Sequence, residues 1–451
     1  MKVRKILHTK LVNIHKSKRF ILFMLAITVF YSANAQTWSL QQCIDTAQVN
    51  NKNLQMSRNN MQIGTERHKE AKANLIPKIS LNGDYKYFAE LPYQIMPQST
   101  FGGPEGQFKE IQMGVPHNMG ANIQLALPLY SSQVYGAIQS TKIAAEISEL
   151  QYQKTEEQVF FEISNLYYNA QILMHKKAFI DSNLLNTGKL LDNLKLLHAQ
   201  QMIKKSDVTK VELQYEQLKT QREIVANNYD QVMNALKFSM GIPFQQNIGI
   251  EPEIIKKSLM DYPNSPSVDL RMAYSKNKLL TGELKTLKNS RIPNVSIFGS
   301  YGQTGFGYDE KPDDFLKFHP VSFAGLQISM PLFNGTVTKR KINQKKLEIQ
   351  NNQLQIDLVK DQNQMLIENA TQKRLVTQLT IQNATGQIEL ASTVYDEMVL
   401  QQKEGTANLT DILLADNALR ETQQNYLAAV VEFLRADLEL KKLSGNISLK
   451  N

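Results

Sequence analysis

The feature that most limits what this chain can fold into is a junction that occurs twice. An alternating apolar–polar stretch reaches a proline and then passes into a very long proline-free segment. The clearer copy is Leu326-Gln327-Ile328-Ser329-Met330-Pro331-Leu332-Phe333-Asn334-Gly335, and the earlier one is Ile123-Gln124-Leu125-Ala126-Leu127-Pro128-Leu129-Tyr130. In both, Gln stands four residues before the proline, and Leu plus an aromatic residue follow it. Alternation with period two predicts a strand, and proline ends it because proline has no N–H to give to a ladder. A strand that becomes a long helix, used twice, predicts a duplicated chain with a β part and an α part.

The duplication can be followed residue by residue. Leu75-Ile76-Pro77-Lys78-Ile79-Ser80-Leu81-Asn82-Gly83-Asp84-Tyr85 aligns without gaps on Arg291-Ile292-Pro293-Asn294-Val295-Ser296-Ile297-Phe298-Gly299-Ser300-Tyr301, an offset of 293 − 77 = 216. The strand-ending prolines differ by 331 − 128 = 203, so the loop of the second half, about residues 303–320, is 13 residues shorter than that of the first, about 89–118. Asp207 and Asp411 are 204 apart, as are Gly241 and Gly445. Internal repetition of this kind predicts one supersecondary unit used twice. Each half reads as helix, strand, loop, strand, long helix, tight turn and returning helix.

The opening helix is expected over 39–74, with Leu40, Cys43, Ile44 and Ala47 on one face. The first long helix is expected from about Ala137 to Gln200, roughly 95 Å if unbroken. Within it Val159, Ile163, Leu166, Ala170 and Leu173 step by 4, 3, 4 and 3, the spacing of a coiled coil. A polar tip at 201–207 precedes the returning helix. In the second half the returning helix has one seam, Ile412, Ala415, Leu419, Thr422, Tyr426, Ala429, Phe433, Ala436, Leu440 and Leu443, alternating large with small.

The strands carry the functional argument. Ile79, Leu81 and Tyr85 share one face, and Ser80, Asn82, Asp84 and Lys86 share the other. The same alternation puts Ile123 and Leu125, Val295, Ile297 and Tyr301, and Leu326 and Ile328 on apolar faces. One greasy and one hydrophilic face is the pattern of a membrane β-strand with lipid outside and water inside. Tyr85, Tyr87 and Tyr301 suit an aromatic belt at the membrane interface. Four strands cannot close a barrel, and open edges are not tolerated in lipid. The chain must therefore assemble, and three copies would supply 12 strands. Helical hairpins longer than a membrane is thick would stand outside it as a tube, and the whole would be a conduit.

The N-terminus agrees with export. Lys2, Arg4, Lys5, Lys10, Lys16, Lys18 and Arg19 precede the apolar run 20–30, and Ala33-Asn34-Ala35 is a small-x-small cleavage site, so residues 1–35 are read as a signal peptide. The full chain has 51 basic and 42 acidic residues; removing the 7 basic residues of the signal leaves 44 against 42, a net charge of +2. A nucleic-acid partner loses its support with that charge. Cys43 is the sole cysteine, so no intramolecular disulfide forms. Leu40-Gln41-Gln42 before it lacks the small residues of a lipidation site, and Cys43 is read as a small buried residue. Residues 36–245 then form the first repeat, 246–266 a linker with Pro252, Pro263 and Pro266, and 267–451 the second repeat.

With these residues in hand the chain resembles the TolC family of outer-membrane efflux channels over essentially all of its mature length. The resemblance is carried by Ser39-Leu40-Gln41-Gln42-Cys43-Ile44-Asp45-Thr46-Ala47, the paired Ile-Pro strand starts, the Leu-Pro-Leu-Tyr and Met-Pro-Leu-Phe strand ends, and Gly405-Thr406-Ala407-Asn408-Leu409-Thr410-Asp411-Ile412-Leu413. It implies a mixed α/β homotrimer whose 12-stranded barrel continues into a periplasmic α-helical barrel. It implies docking of the hairpin tips, Gly405, Thr406 and Gln201, to a periplasmic adaptor, and coupling to an inner-membrane pump of the RND or ABC type. It also implies a periplasmic gate closed by acidic side chains, Asp411 and its counterpart Asp207; a ring of carboxylates at a constriction favours cations. Three positions depart from the family pattern: Leu414 replaces a second acid, Ala407 replaces a cation, and Gln201 stands where the second repeat has Gly405.

Other chemistry has little support. His68, His117, His175, His198 and His319 are scattered without metal-ligand spacing. Gly299, Gly302, Gly305 and Gly307 lack the Lys-Ser/Thr of a phosphate loop. Lys339, Arg340, Lys341, Lys345 and Lys346 read as a solvated helix face. The expectation is a channel rather than an enzyme, with no metal and no cofactor; the competing class is a coiled-coil envelope protein or adhesin stalk.

Overall fold

The opening helix is capped by its own sequence. The Ser39 hydroxyl accepts from the Gln42 N–H at 3.3 Å, and Gln42 Oε1 accepts from the Ser39 N–H at 3.0 Å, a reciprocal capping box. The computed structural model describes residues 37–254, 262–263, 265–310 and 317–447; the expected signal segment and part of the 246–266 linker lie outside them.

In chain order the elements are β1 (Thr37–Trp38), α1 (Leu40–Asn50), α2 (Lys52–Ala73), β2 (Lys78–Tyr87), β3 (Tyr93–Pro97), a 3₁₀ turn (Gln98–Phe101), β4 (Phe108–Gln112), β5 (His117–Tyr130), α3 (Ser132–Ala199), α4 (Lys205–Met240), β6 (Gly249–Ile250), α5 (Val268–Asn289), β7 (Asn294–Gly307), β8 (Lys317–Ser329), α6 (Val337–Lys403) and α7 (Leu409–Leu443). The expected single helix over 39–74 is thus two. At Asn51 the backbone leaves the helical region, its Oδ1 accepts from the Leu54 N–H at 3.1 Å, and its Nδ2 donates to the Ser239 carbonyl at 2.6 Å. A side chain that caps the next helix while satisfying a buried carbonyl offsets the lost backbone bonds.

Two compact units emerge. One comprises Ser57–Gln153 and Val268–Asp361 and contains a four-stranded sheet in the order β2-β5-β7-β8. Every neighbouring pair is antiparallel. The first half's loop is not structureless: β3 and β4 pair inside it, Tyr93 opposite Gln112 and Pro97 opposite Phe108. The second half's loop is shorter than the expected 303–320, because β7 runs to Gly307 and β8 begins at Lys317. Pro128 does not end its strand either. It pairs with Ser296, a bulge follows before Tyr130, and β2 begins only opposite Ala126, so the missing N–H meets no ladder partner. In the second half β8 does stop before its proline, at Ser329.

The other unit holds the residues up to Met56, Lys154–Ser267 and Gln362–Asn451. Its helical core is layered along the bundle. Leu190, Leu194, Val211, Tyr395, Ile412 and Leu419 form one cluster, Ile180, Leu218 and Val225 another, and Ile172, Leu427, Val430 and Leu434 a third. The chain's start is tied in by parallel pairing of β1 with β6 and by the Tyr167 hydroxyl, which donates to the Trp38 carbonyl at 3.0 Å. Cys43 is fully buried beside this pair, and desolvation pushes its thiol up to about 12. The predicted seam of α7 is buried or half-buried along most of its length. A second buried face, Asp416, Gln423, Leu427, Val430, Leu434 and Leu438, runs beside it. α4 has a single buried stripe, so the two returning helices are not enclosed alike.

Candidate functional site

Two regions bring the predicted residues together, and each is built by the repeat. The first is the sheet. Register places Ile79, Leu125, Gly299 and Ala324 on one rung, and Leu81, Ile123, Tyr301 and Ser322 on the next but one. Two rungs along in the other direction lie Leu127, Ile297 and Leu326, and two beyond them Val295 opposite Ile328. Side chains two residues apart share a face. Ile79, Leu81, Tyr85, Ile123, Leu125, Val295, Ile297, Tyr301, Leu326 and Ile328 therefore occupy one face of one sheet. Leu81 is 76% exposed and Leu326 57%, a density of bare aliphatic surface that water does not tolerate on a finished protein. The opposite face carries Lys78, Ser80, Asn82, Asp84 and Lys86 on β2 and Asn118, Asn122 and Gln124 on β5. At the outer end of β2, the hydroxyl of Tyr85 lies 2.7 Å from His117 Nδ1, and His117 Nε2 contacts Asp309, with Tyr87 against the same ring.

Register also exposes an edge problem. Among the described residues, β2 and β8 each have one neighbour, so each presents a row of unpaired N–H and C=O groups.

The second region is the pair of hairpin tips. Gln201 N–H donates to the His198 carbonyl at 2.9 Å and Met202 N–H to Leu197 at 2.9 Å. The corresponding bonds at the other tip run from Gly405 to Gln402 at 3.1 Å and from Thr406 to Gln401 at 2.9 Å. Both are Schellman turns, which need a left-handed residue. Gly405 supplies it at φ 76°, and Gln201 supplies it at φ 62° without being a glycine. The departure noted at Gln201 thus leaves the backbone path unchanged and adds strain of about 1 kcal/mol. Gly241 and Gly445 close the other ends of α4 and α7 with the same pair of bonds.

Asp411 has a local partner at the second tip. Its N–H donates to Asn408 Oδ1 at 3.1 Å, and its Oδ2 accepts from the Asn408 N–H at 3.0 Å, a capping box at the start of α7. Asp207 sits in the first turn of α4 with Lys210 Nζ at 3.5 Å. Leu414, in place of a second acid, is 63% exposed.

Behind the tips lie two buried polar layers that sequence reasoning missed. Asp416 on α7 meets Arg420 on the same helix and Gln214 on α4, and Arg420 reaches Thr187 on α3 at 3.5 Å. Burial pushes the Asp416 carboxyl above the usual carboxylate range, against the pull of Arg420 and Gln214 toward the ionised form. Tyr395 on α6 packs here, and burial, with Asp416 adding to it, raises its hydroxyl to about 12. One turn away Asn183 donates to Gln423 Oε1 at 3.0 Å. Asp416 and Arg420 at i, i+4 read as a solvated surface pair; only the second buried face of α7 encloses them. Among the described residues no group of three or more His, Cys, Asp or Glu side chains is placed to hold a metal ion, and no helix is long and apolar enough to cross a membrane.

No family model matches the chain. Two curated relatives do: outer membrane protein TolC of Salmonella enteritidis, 18% identical over 429 residues, and that of Escherichia coli K12, 18% identical over 436, each match covering 93% of this chain and 84% of the relative. Among solved structures the chain resembles the outer membrane protein VceC of Vibrio cholerae, with a TM-score of 0.75 at 14% identity, covering 90% of this chain and 96% of that one. It also resembles the open state of the MtrE outer membrane channel of Neisseria gonorrhoeae, with a TM-score of 0.73 at 16% identity, covering 91% and 89%. The CmeC outer membrane channel of Campylobacter jejuni gives 0.73 at 13% identity, covering 91% and 87%. The fold is that of outer-membrane channel proteins.

Proposed function

We infer that this chain, a member of the TolC family of outer-membrane proteins, is the exit duct of a tripartite efflux or type I secretion system, and that it works as a homotrimer. The observation that carries the reading is the strand order β2-β5-β7-β8, in which, among the described residues, each outer strand has one unpaired edge. β2 and β8 run in opposite directions. β8 of one copy can therefore take β2 of the next in the same antiparallel sense as every other pair, and three copies close a 12-stranded barrel without an edge. Closure satisfies the backbone in lipid, turns the aliphatic face of Leu81, Ile123 and Leu326 outward, and leaves the Ser80, Asn82 and Gln124 face to water. The helical hairpins then line the duct on the periplasmic side.

In this reading the chain is exported by residues 1–35, and each remaining repeat gives one strand pair and one hairpin. The tips at Gln201, Gly405 and Thr406 meet an adaptor, and Asp411 with Asp207 from three copies rings the closed end. Cargo crosses from an inner-membrane pump to the exterior. The test is the mass of the detergent-extracted protein together with its conductance in a planar bilayer. A trimer with small, cation-selective conductance is expected. A water-soluble monomer without conductance would return the envelope-stalk reading.

A further inference from the structure

We propose that Phe298 and Phe323 form an aromatic binding patch on the hydrophilic face of the sheet, which takes planar aromatic anions in transit. The proposal rests on the duct reading for its place in a water-filled lumen. Register puts both rings on the face of Ser80, Asn82 and Gln124: Phe323 shares a rung with Ser300, Gln124 and Ser80, and Phe298 shares the next but one with Gly325, Ala126 and Lys78. The rings meet edge to face, 6.2 Å between centroids at 64°. This is the arrangement aromatic pairs prefer.

Part of the pair has a structural task. A Cβ on Gly325 would lie 2.8 Å from the tip of the Phe298 ring, so that ring covers a glycine in the neighbouring strand. Covering Gly325 accounts for Phe298 and not for Phe323, which keeps 55% of its surface exposed opposite Ser300, with Val321 beside it on the same face of its strand. An apolar ring held open to a wet lumen offers a stacking surface to a solute that brings its own ring.

The sign of the solute follows from the same face. Lys78, Lys86 and Lys317 lie on it, against one acid, Asp84, among its described residues. Lys78 stands on the rung of Phe298, its Nζ donating to Asn74 Oδ1 at 2.9 Å. Three copies multiply both the aromatic pairs and the positive excess, and cationic rings in a pore favour anions. An aromatic carboxylate matches both features.

The experiment records block of the open channel by 2-naphthoate and by cyclohexanecarboxylate, using the purified full-length protein in planar bilayers. In Phe323→Ala the naphthoate block should shorten about five-fold, while Phe323→Tyr keeps it and the cyclohexane acid is unaffected. Lys78→Gln should weaken the naphthoate block. Equal naphthoate lifetimes in wild type and Phe323→Ala would overturn the patch; equal block by an aromatic cation would overturn its charge preference. A membrane-impermeant maleimide should label Phe323→Cys and spare Leu326→Cys, with Cys43 silent because it is buried. Conducting trimers whose Phe323→Cys stays unlabelled refute the placement alone, whereas loss of all conductance in the wild type refutes the duct.

Discussion

Arg420→Met tests how the two hairpins are held together behind their tips. The substitution keeps the side chain's length and removes its charge. It leaves the Asp416 carboxylate buried, its side chain 6% exposed, with only Gln214 as partner. Removing one member of a buried ion pair leaves an uncompensated charge and costs about 3–5 kcal/mol. If this part of the bundle opens as a local unit, amide exchange in the first half of α7 and the facing part of α4 should quicken on the order of 10²- to 10³-fold. Hydrogen exchange read by mass spectrometry on peptides from residues 205–220 and 409–425 measures it. The double variant Asp416→Leu/Arg420→Met removes both charges and should recover most of the protection. The pH response has a definite sign. The folded carboxyl already titrates above its ordinary value, so its contribution to stability is complete at low pH and lost as pH rises through the raised folded pKa. Without Arg420 that pKa rises further. The gap between variant and wild type should therefore narrow as the solution is acidified from neutrality toward the ordinary carboxylate range. Unchanged exchange in Arg420→Met, or a double variant as labile as the single one, would refute the reasoning.

Three further outcomes are expected. Asp411→Asn should raise single-channel conductance while hairpin stability is kept, because an amide oxygen still accepts from the Asn408 N–H; Asp411→Ala should cost about 1 kcal/mol of helix stability as well, and unchanged conductance in a correctly assembled Asp411→Asn trimer removes Asp411 from the gate. Gln201→Gly should stabilise the first hairpin by about 1 kcal/mol, seen as slower exchange of the last turn of α3, whereas Gly405→Gln should destabilise the second by a similar amount. Leu326→Arg, on the aliphatic face, should cost about 2–4 kcal/mol near mid-membrane and abolish heat-resistant trimers, while Gln327→Arg on the opposite face should assemble; the reverse result would exchange the two faces.

Much of this architecture was legible because its signals are local and repeated. Period-two alternation needs no tertiary knowledge, and the 216-residue offset between Pro77 and Pro293 aligns two strands from the residues alone. What escaped notice depends on distant partners. Asn51 follows Asn50 with no proline or glycine nearby, and its break is stabilised by the Ser239 carbonyl, 188 residues away. Pro128 reads as a strand end, yet it is accommodated where β2 has not yet begun. The short strands β3 and β4 lie within a stretch rich in Gly and Pro and, among the described residues, pair with each other alone. The hardest to see was Asp416: charge at a position one residue off an apolar seam looks solvated unless a second helix covers that side.

The unpaired rows on β2 and β8 also bear on the order of events in assembly. On the proposed trimeric-barrel reading, a single copy has nowhere to place those backbone groups once its aliphatic face enters lipid, so insertion ahead of association is uphill by several kcal/mol for each exposed group. Association and insertion should then be one concerted step. Its rate should rise steeply with protein concentration, and no membrane-inserted monomer should accumulate. The waiting copies, with bare edges and bare aliphatic surface in an aqueous compartment, are the stage most open to aggregation and most in need of a holding chaperone.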